Sequence, residues 1–189
     1  MALTALELCS RGLLRIGAQA IASMDEGTAE AEIASGLYSG IRDALISAHP
    51  WSFATGQASL PRLAGEPGAD FQHAFQLPPN FLRALSAGVP GLGRGLNYRL
   101  LEDRLHCDAE QVTLTYIFQP HESTFPAFFA AALVARLSAE FCIPLTESSA
   151  RAQILFTQAE AELRAARRAD SQQATTQALD GFPLIRARG

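Results

Sequence analysis

The segment FPAFFAAALVARLSAEFC, residues 125–142, constrains the fold more than any other part of the chain. Phe125, Phe128, Phe129, Leu133, Leu137 and Phe141 recur at helical spacing and alanines fill much of the space between them, so a helix here is apolar over a wide arc. Such a helix has to be covered on several sides, which calls for other helices packed around it. Only Arg136 and Glu140 interrupt it, at a spacing where opposite charges pair on a helix surface. Pro144 is expected to end it.

Three further segments read as the covering helices. Residues 4–19 place Leu3, Leu6, Leu13, Ile16 and Ala20 near one stripe. Thr28 is positioned as an N-cap, with Glu30 and Glu32 in the first turn, where acids favour the helix dipole. Ile33, Leu37, Ile41 and Leu45 then repeat every four residues, broadened by Tyr38, Ala44 and Ala48. Gly36 and Gly40 inside this helix each cost about 1 kcal/mol relative to alanine if exposed; a closely packed neighbour on that face would account for them, the alternative being drift without function. Pro50 disfavours helical geometry at His49, so the helix is expected to stop near Ala48 and to continue as a strand carrying Trp51 and Phe53 on one face. The last helix is expected to be capped by Thr146 and to run to about Asp170, with Leu155, Phe156, Ala159, Leu163 and Ala166 on one side.

Between these helices the character changes. Residues 61–95 contain three turn-like stretches, RLAGEPGAD, QLPPNF and GVPGLGRG, around the short alternation HAFQL, which suggests loops with short strands. NYRLLEDRLHCD and EQVTLTYIF are better strands; in the second, Val112, Leu114, Tyr116 and Phe118 alternate with Thr113, Thr115 and Ile117. The expected fold is therefore α+β: one domain over residues 1–170, mainly a bundle of about four helices, with a small antiparallel sheet from about 51–119. Residues 171–189 are expected to be an extended, flexible tail, in which Phe182, Pro183, Leu184 and Ile185 form an apolar cluster beside Arg186 and Arg188.

Composition narrows the chemistry. The chain has 189 residues, 48% of them hydrophobic, enough for one core of ordinary size. It opens without a basic-then-apolar leader pattern, and no run is read as approaching the roughly 18–20 apolar residues that span a bilayer, so a soluble intracellular protein is expected, with no membrane partner. The net charge is −4 and all fifteen basic residues are arginine, which disfavours a general phosphate-binding surface and leaves arginines available for bidentate contacts at protein interfaces. Cys9, Cys107 and Cys142 are far apart and odd in number, as buried thiols would be. His49, His73, His106 and His121 show no metal-ligand spacing, and no metal or cofactor is expected. No GxSxG elbow occurs, and GLGRG lacks the Lys-Ser/Thr of a phosphate loop, so no catalytic residue is nominated. Glu102, Asp103 and Glu122 are the acids a glycan hydrolase would draw on, although each reads more simply as solvated.

Four stretches carry a resemblance: CSRGLLRIGAQAIASMDEGT, YSGIRDALISAHPWSFATGQASL, HAFQLPPNFLRAL and FPAFFAAALVARLSAEFCIPLTESSARAQILF. In this order they resemble the tail tubular protein A, or head-to-tail adaptor, family of tailed phages, over residues 4–168. Arg42, Asp43, Leu45, His49, Pro50, Trp51, Phe53 and Ala54 match that family's pattern at the close of the second helix, while Ser52 and Cys9 stand where asparagine is common. The resemblance implies a non-enzymatic virion protein, forming a dodecameric ring between the portal protein and a downstream tail or nozzle protein, assembled in the bacterial cytoplasm. DNA would slide through the ring without specific binding. It also implies that Arg42, Asp43, His49, Pro50, Trp51 and Phe53 anchor the structure and that the tail, Phe182–Ile185 with Arg186 and Arg188, reaches the portal. The alternative from another class is a peptidoglycan hydrolase acting during phage entry.

Overall fold

The computed structural model describes residues 3–65, 70–91 and 93–173. Its helices are α1 (Ala5–Arg15), α2 (Ala29–Ser47), α3 (Ala127–Thr146) and α4 (Ser149–Ser171), with short 3-10 turns at Ser52–Ala54 and Glu122–Thr124. Its strands are β1 (Thr55–Ser59), β2 (His73–Gln76), β3 (Phe81–Val89), β4 (Gly93–Arg94), β5 (Arg99–Leu101), β6 (Arg104–Cys107) and β7 (Thr113–Phe118). The chain is thus α+β, but the single sheet expected from sequence is two antiparallel sheets, one ordered β1-β7-β3-β4 and the other β2-β6-β5.

The helices gather around α3. Its Phe129, Leu133, Leu137, Phe141 and Cys142 have no solvent exposure, and α1, α2 and α4 all pack against it. α3 is the one described helix long and apolar enough, by length and composition, to cross a membrane, contrary to the expectation that no such run exists; 61% of that stretch is buried inside the fold. α1 starts with a capping box, in which Thr4 Oγ1 accepts from the Glu7 amide and the Thr4 amide donates to the Glu7 carboxylate. It reaches α3 at Gly12, where an added Cβ would stand 3.2 Å from Leu137 Cβ.

Three details of the helices differ from the expectation. Pro144 lies inside α3 rather than ending it, near enough to the terminus that the helix closes only at Glu147, in the left-handed conformation. The cap of α4 is Ser148, whose hydroxyl accepts from the Arg151 amide, because the Thr146 hydroxyl is turned back onto the Cys142 carbonyl of α3. On α2 the buried face is Ala31, Ala34, Tyr38, Leu45 and Ile46; Leu37 is 39% exposed. Gly36 and Gly40 face open space, with nothing among the described residues within 4 Å of an added Cβ, so none of the described helices packs closely over them. Gly36→Ala is therefore expected to raise stability by about 0.5–1 kcal/mol through helix propensity and reduced unfolded-state entropy, measured as an increase in the urea midpoint at constant m-value.

The sheets form a second core on the far side of β7. Residues of a strand alternate between faces, and β7 uses both: Ile117 belongs to the helical core, while Leu114 and Tyr116 pack with Phe75, Leu105 and Cys107 of the second sheet. β3, the longest strand, runs through the stretch read as loop-heavy, and its register against β7 shifts twice, between Phe81 and Arg83 and between Ala84 and Ser86. The interruptions hide the alternation that identifies a strand from sequence. GVPGLGRG is the β3–β4 connection, with Gly88 paired to Arg94 and an added Gly88 Cβ meeting the Gly93 carbonyl. Glu102 and Asp103, both at positive φ, form the turn between β5 and β6.

Candidate functional site

The residues singled out by sequence meet at the exit of α2, where the chain passes from helix to sheet. A helix leaves its last carbonyls without intrahelical donors, and Pro50 supplies no N–H of its own. The indole of Trp51 answers one of them: Nε1 donates to the Leu45 carbonyl at 3.0 Å. Trp51 is fully buried, edge-on to the His49 ring at 4.7 Å between centroids and to Phe129 at 5.1 Å. The expected strand from Trp51 does not form. Residues 52–54 make a 3-10 turn and β1 begins at Thr55, because Thr55 Oγ1 and the Ala54 amide both bind the Trp51 carbonyl. Phe53 is half-buried and reaches the same aromatic group, 4.9 Å from Phe129 and 5.9 Å from Phe125.

The corner is tied to the end of α4. The Asp170 carboxylate, 4% exposed, accepts from the Ser52 amide at 3.1 Å and from the Ser52 hydroxyl at 2.6 Å, and His49 Nε2 stands 3.7 Å away. Serine, aspartate and histidine are thus together, but in the wrong order for nucleophilic catalysis. The hydroxyl points at the carboxylate, with no imidazole between them to take its proton. Burial lowers the His49 pKa below its ordinary value, against the pull of Asp170, and the positive charges of Arg167 and Arg83 add to the lowering. An open cleft of about 830 Å³ lies beside this corner, lined by His49, Ser52, Leu85, Arg94 and Asp170 among others.

A second tie lies about two turns back along α2 from His49. Arg42 donates from Nε to Asp43 Oδ1 at 2.8 Å and from Nη1 to Glu122 Oε1 at 2.9 Å, and it lies over the Tyr38 ring at 5.4 Å. The Tyr38 hydroxyl donates to the same Glu122 oxygen at 3.1 Å, and the Gln119 amide oxygen accepts from Arg42 when its amide is oriented to suit both partners. Arg42 and Glu122 side chains are only 12% and 14% exposed, so Glu122 is a buried ion-pair partner and not the solvated acid that sequence suggests. Burial acts to raise its carboxyl, but its own amide, Arg42 and Tyr38 outweigh that and hold it below the usual value. Burial and the Glu122 charge together push the Tyr38 phenol upward.

The structure brings Arg42, Asp43, His49, Pro50, Trp51 and Phe53 to one stretch and adds two partners that sequence reasoning missed, Glu122 as Arg42's counter-ion and Asp170 as Ser52's acceptor. Asp170 carried a usable signal: it continues the buried stripe Ala159, Leu163, Ala166, where a carboxylate needs partners. Phe182, Pro183, Leu184, Ile185, Arg186 and Arg188 lie outside the described residues. Cys9 is buried and its thiol is pushed up to about 12 by burial, the opposite of an activated nucleophile. Among the described residues no three His, Cys, Asp or Glu side chains cluster as a metal would require. A carboxyl held ionised, like Glu122, is poorly suited to act as a general acid, and Glu102 and Asp103 are exposed turn residues. No protein-family model matches the chain, and no curated protein matches it in sequence.

Proposed function

We propose that the chain is a structural virion protein, an adaptor subunit that forms a ring between the portal and the tail of a phage and through which DNA passes. The observation that carries the reading is where the resembling stretches lie in the fold. HPWSFA is the corner pinned by Trp51, ALVARLSAEF lies in the central helix it packs on, and PLTES closes that helix and caps α4, which runs back to Asp170 and that corner. The matched residues are thus one packed unit. Arg42–Glu122 and Ser52–Asp170 tie elements together, which suits a structural ring subunit, and the chain's acidic balance suits a channel wall that does not hold phosphates. In the virion the partners would be further copies of the chain, the portal protein and a downstream tail or nozzle protein.

Native mass spectrometry of the full chain mixed with the portal protein tests this directly. A complex carrying many copies of the chain per portal ring is the expected outcome. A chain that stays monomeric, or binds singly, over micromolar concentrations would overturn the ring.

A further inference from the structure

α2 and α4 both lie against α3 and leave a groove of about 370 Å³ between them. Its apolar walls are Ile41 and Leu45 from α2 and Leu163 from α4, and Gly40, Ala44 and Ala48 keep the α2 side low. Its charges are segregated by end. Arg167 stands at the end near Ala48 and His49, and its Nε is shut off from solvent without a partner among the described residues. At the other end Arg136 pairs with both Glu140 and Glu160, which leaves one carboxylate charge in excess.

The segment following α4 has the complementary order. α4 delivers the chain past Arg167 to Gln173, and the sequence then places Asp180 first, the apolar Phe182, Leu184 and Ile185 next, and Arg186 and Arg188 last. A segment of this order turned back along the groove would set Asp180 against Arg167, the apolar residues against Ile41, Leu45 and Leu163, and the arginines against Glu160 and Glu140. The reach is sufficient. Gln173 to Asp180 spans up to about 23 Å extended, whereas returning from Gln173 to the level of Arg167 needs about 9 Å of helix rise. Glu160 and Arg167 are about 10 Å apart along α4, and Asp180 to Arg186 covers about 9 Å if helical and about 20 Å if extended.

We infer that residues 180–188 of the chain dock in its own α2–α4 groove, antiparallel to α4, with Asp180 on Arg167. The occupant is this same molecule's segment, and the assignment concerns the free chain, independent of the adaptor reading. Amide hydrogen exchange on the full-length protein tests it. The Leu184 and Ile185 amides are expected to exchange at least about tenfold more slowly than in an unstructured peptide, equally at low and high protein concentration. Asp180→Arg, and separately Leu184→Ser with Ile185→Ser, are expected to abolish that slowing while lowering the melting temperature only by the contribution of docking itself, and Arg167→Glu combined with Asp180→Arg to restore it. Exchange at the unstructured rate in the unmodified chain would overturn the inference. So would slowing that grows with concentration, which would make a second copy the occupant, or slowing that Asp180→Arg leaves intact.

Discussion

Trp51→Ala is expected to cost about 3–5 kcal/mol of folding stability, as truncation of a fully buried large aromatic does, a large part of the roughly 5–15 kcal/mol that holds a domain of this kind together. The loss has two sources. The indole fills the space between the α2 exit and Phe129 and Phe53, so alanine leaves a cavity under the corner. It also donates to the Leu45 carbonyl, which alanine leaves unsatisfied at a helix end. Trp51→Phe separates the two, keeping most of the packing while removing the donor, and its cost is expected to be about 1–3 kcal/mol. Urea unfolding followed by circular dichroism measures both. If Trp51→Ala unfolds at the same urea concentration as the parent, the indole is no anchor, and its role has to be sought in contacts with another molecule.

The second large effect concerns Arg42. Arg42→Ala strips the counter-ion from Glu122 and leaves a mostly buried carboxylate held only by its own amide and the Tyr38 hydroxyl, at an expected cost of about 2–4 kcal/mol. Removing both charges, as Arg42→Met with Glu122→Gln, is expected to cost less than Arg42→Ala alone, because no unpaired charge remains buried. Double-mutant stabilities that simply add would show that the pair contributes no coupling. The same pair has a pH signature. Glu122 in the folded chain sits below its ordinary value of 4.5, so the unfolded chain binds the proton more readily. Its contribution is complete above that value and disappears as pH falls through the lower folded value. His49 weakens the fold over a different range: its folded value lies below the ordinary 6.5, so stability declines as pH drops from 6.5 toward the folded value. Glu122→Gln is expected to flatten the more acidic limb and leave the His49 limb in place.

Local rules carried the helices and failed for the contacts that join them. A Thr cap with acids behind it, a Pro two residues beyond Ala48 and a wide apolar arc are statements about neighbouring residues, and α1, α2, α3 and α4 appear close to where those statements put them. The long strand β3 was not legible, because its two register shifts break the period-two pattern that marks a strand. Of the α2 stripe read from sequence, Tyr38 and Leu45 are buried, whereas Leu37 is exposed and the buried line adds Ala31, Ala34 and Ile46. At the candidate site the sequence pointed to Arg42, His49 and Trp51 but not to their partners. Glu122 lies 80 residues from Arg42 and Asp170 lies 118 residues from Ser52; the α4 stripe marks Asp170 as buried, but no local pattern names the partner of either carboxylate.

What the sequence by itself determined is the set of elements and the break at His49-Pro50, because backbone sterics, capping and hydrophobic period act within a few residues. Only the tertiary structure decided that the break is a corner closed from both sides. Desolvation forces each polar group buried there to find a partner, and the partners available, Leu45's carbonyl for the indole, Asp170 for Ser52 and Glu122 for Arg42, depend on which elements the apolar α3 draws together.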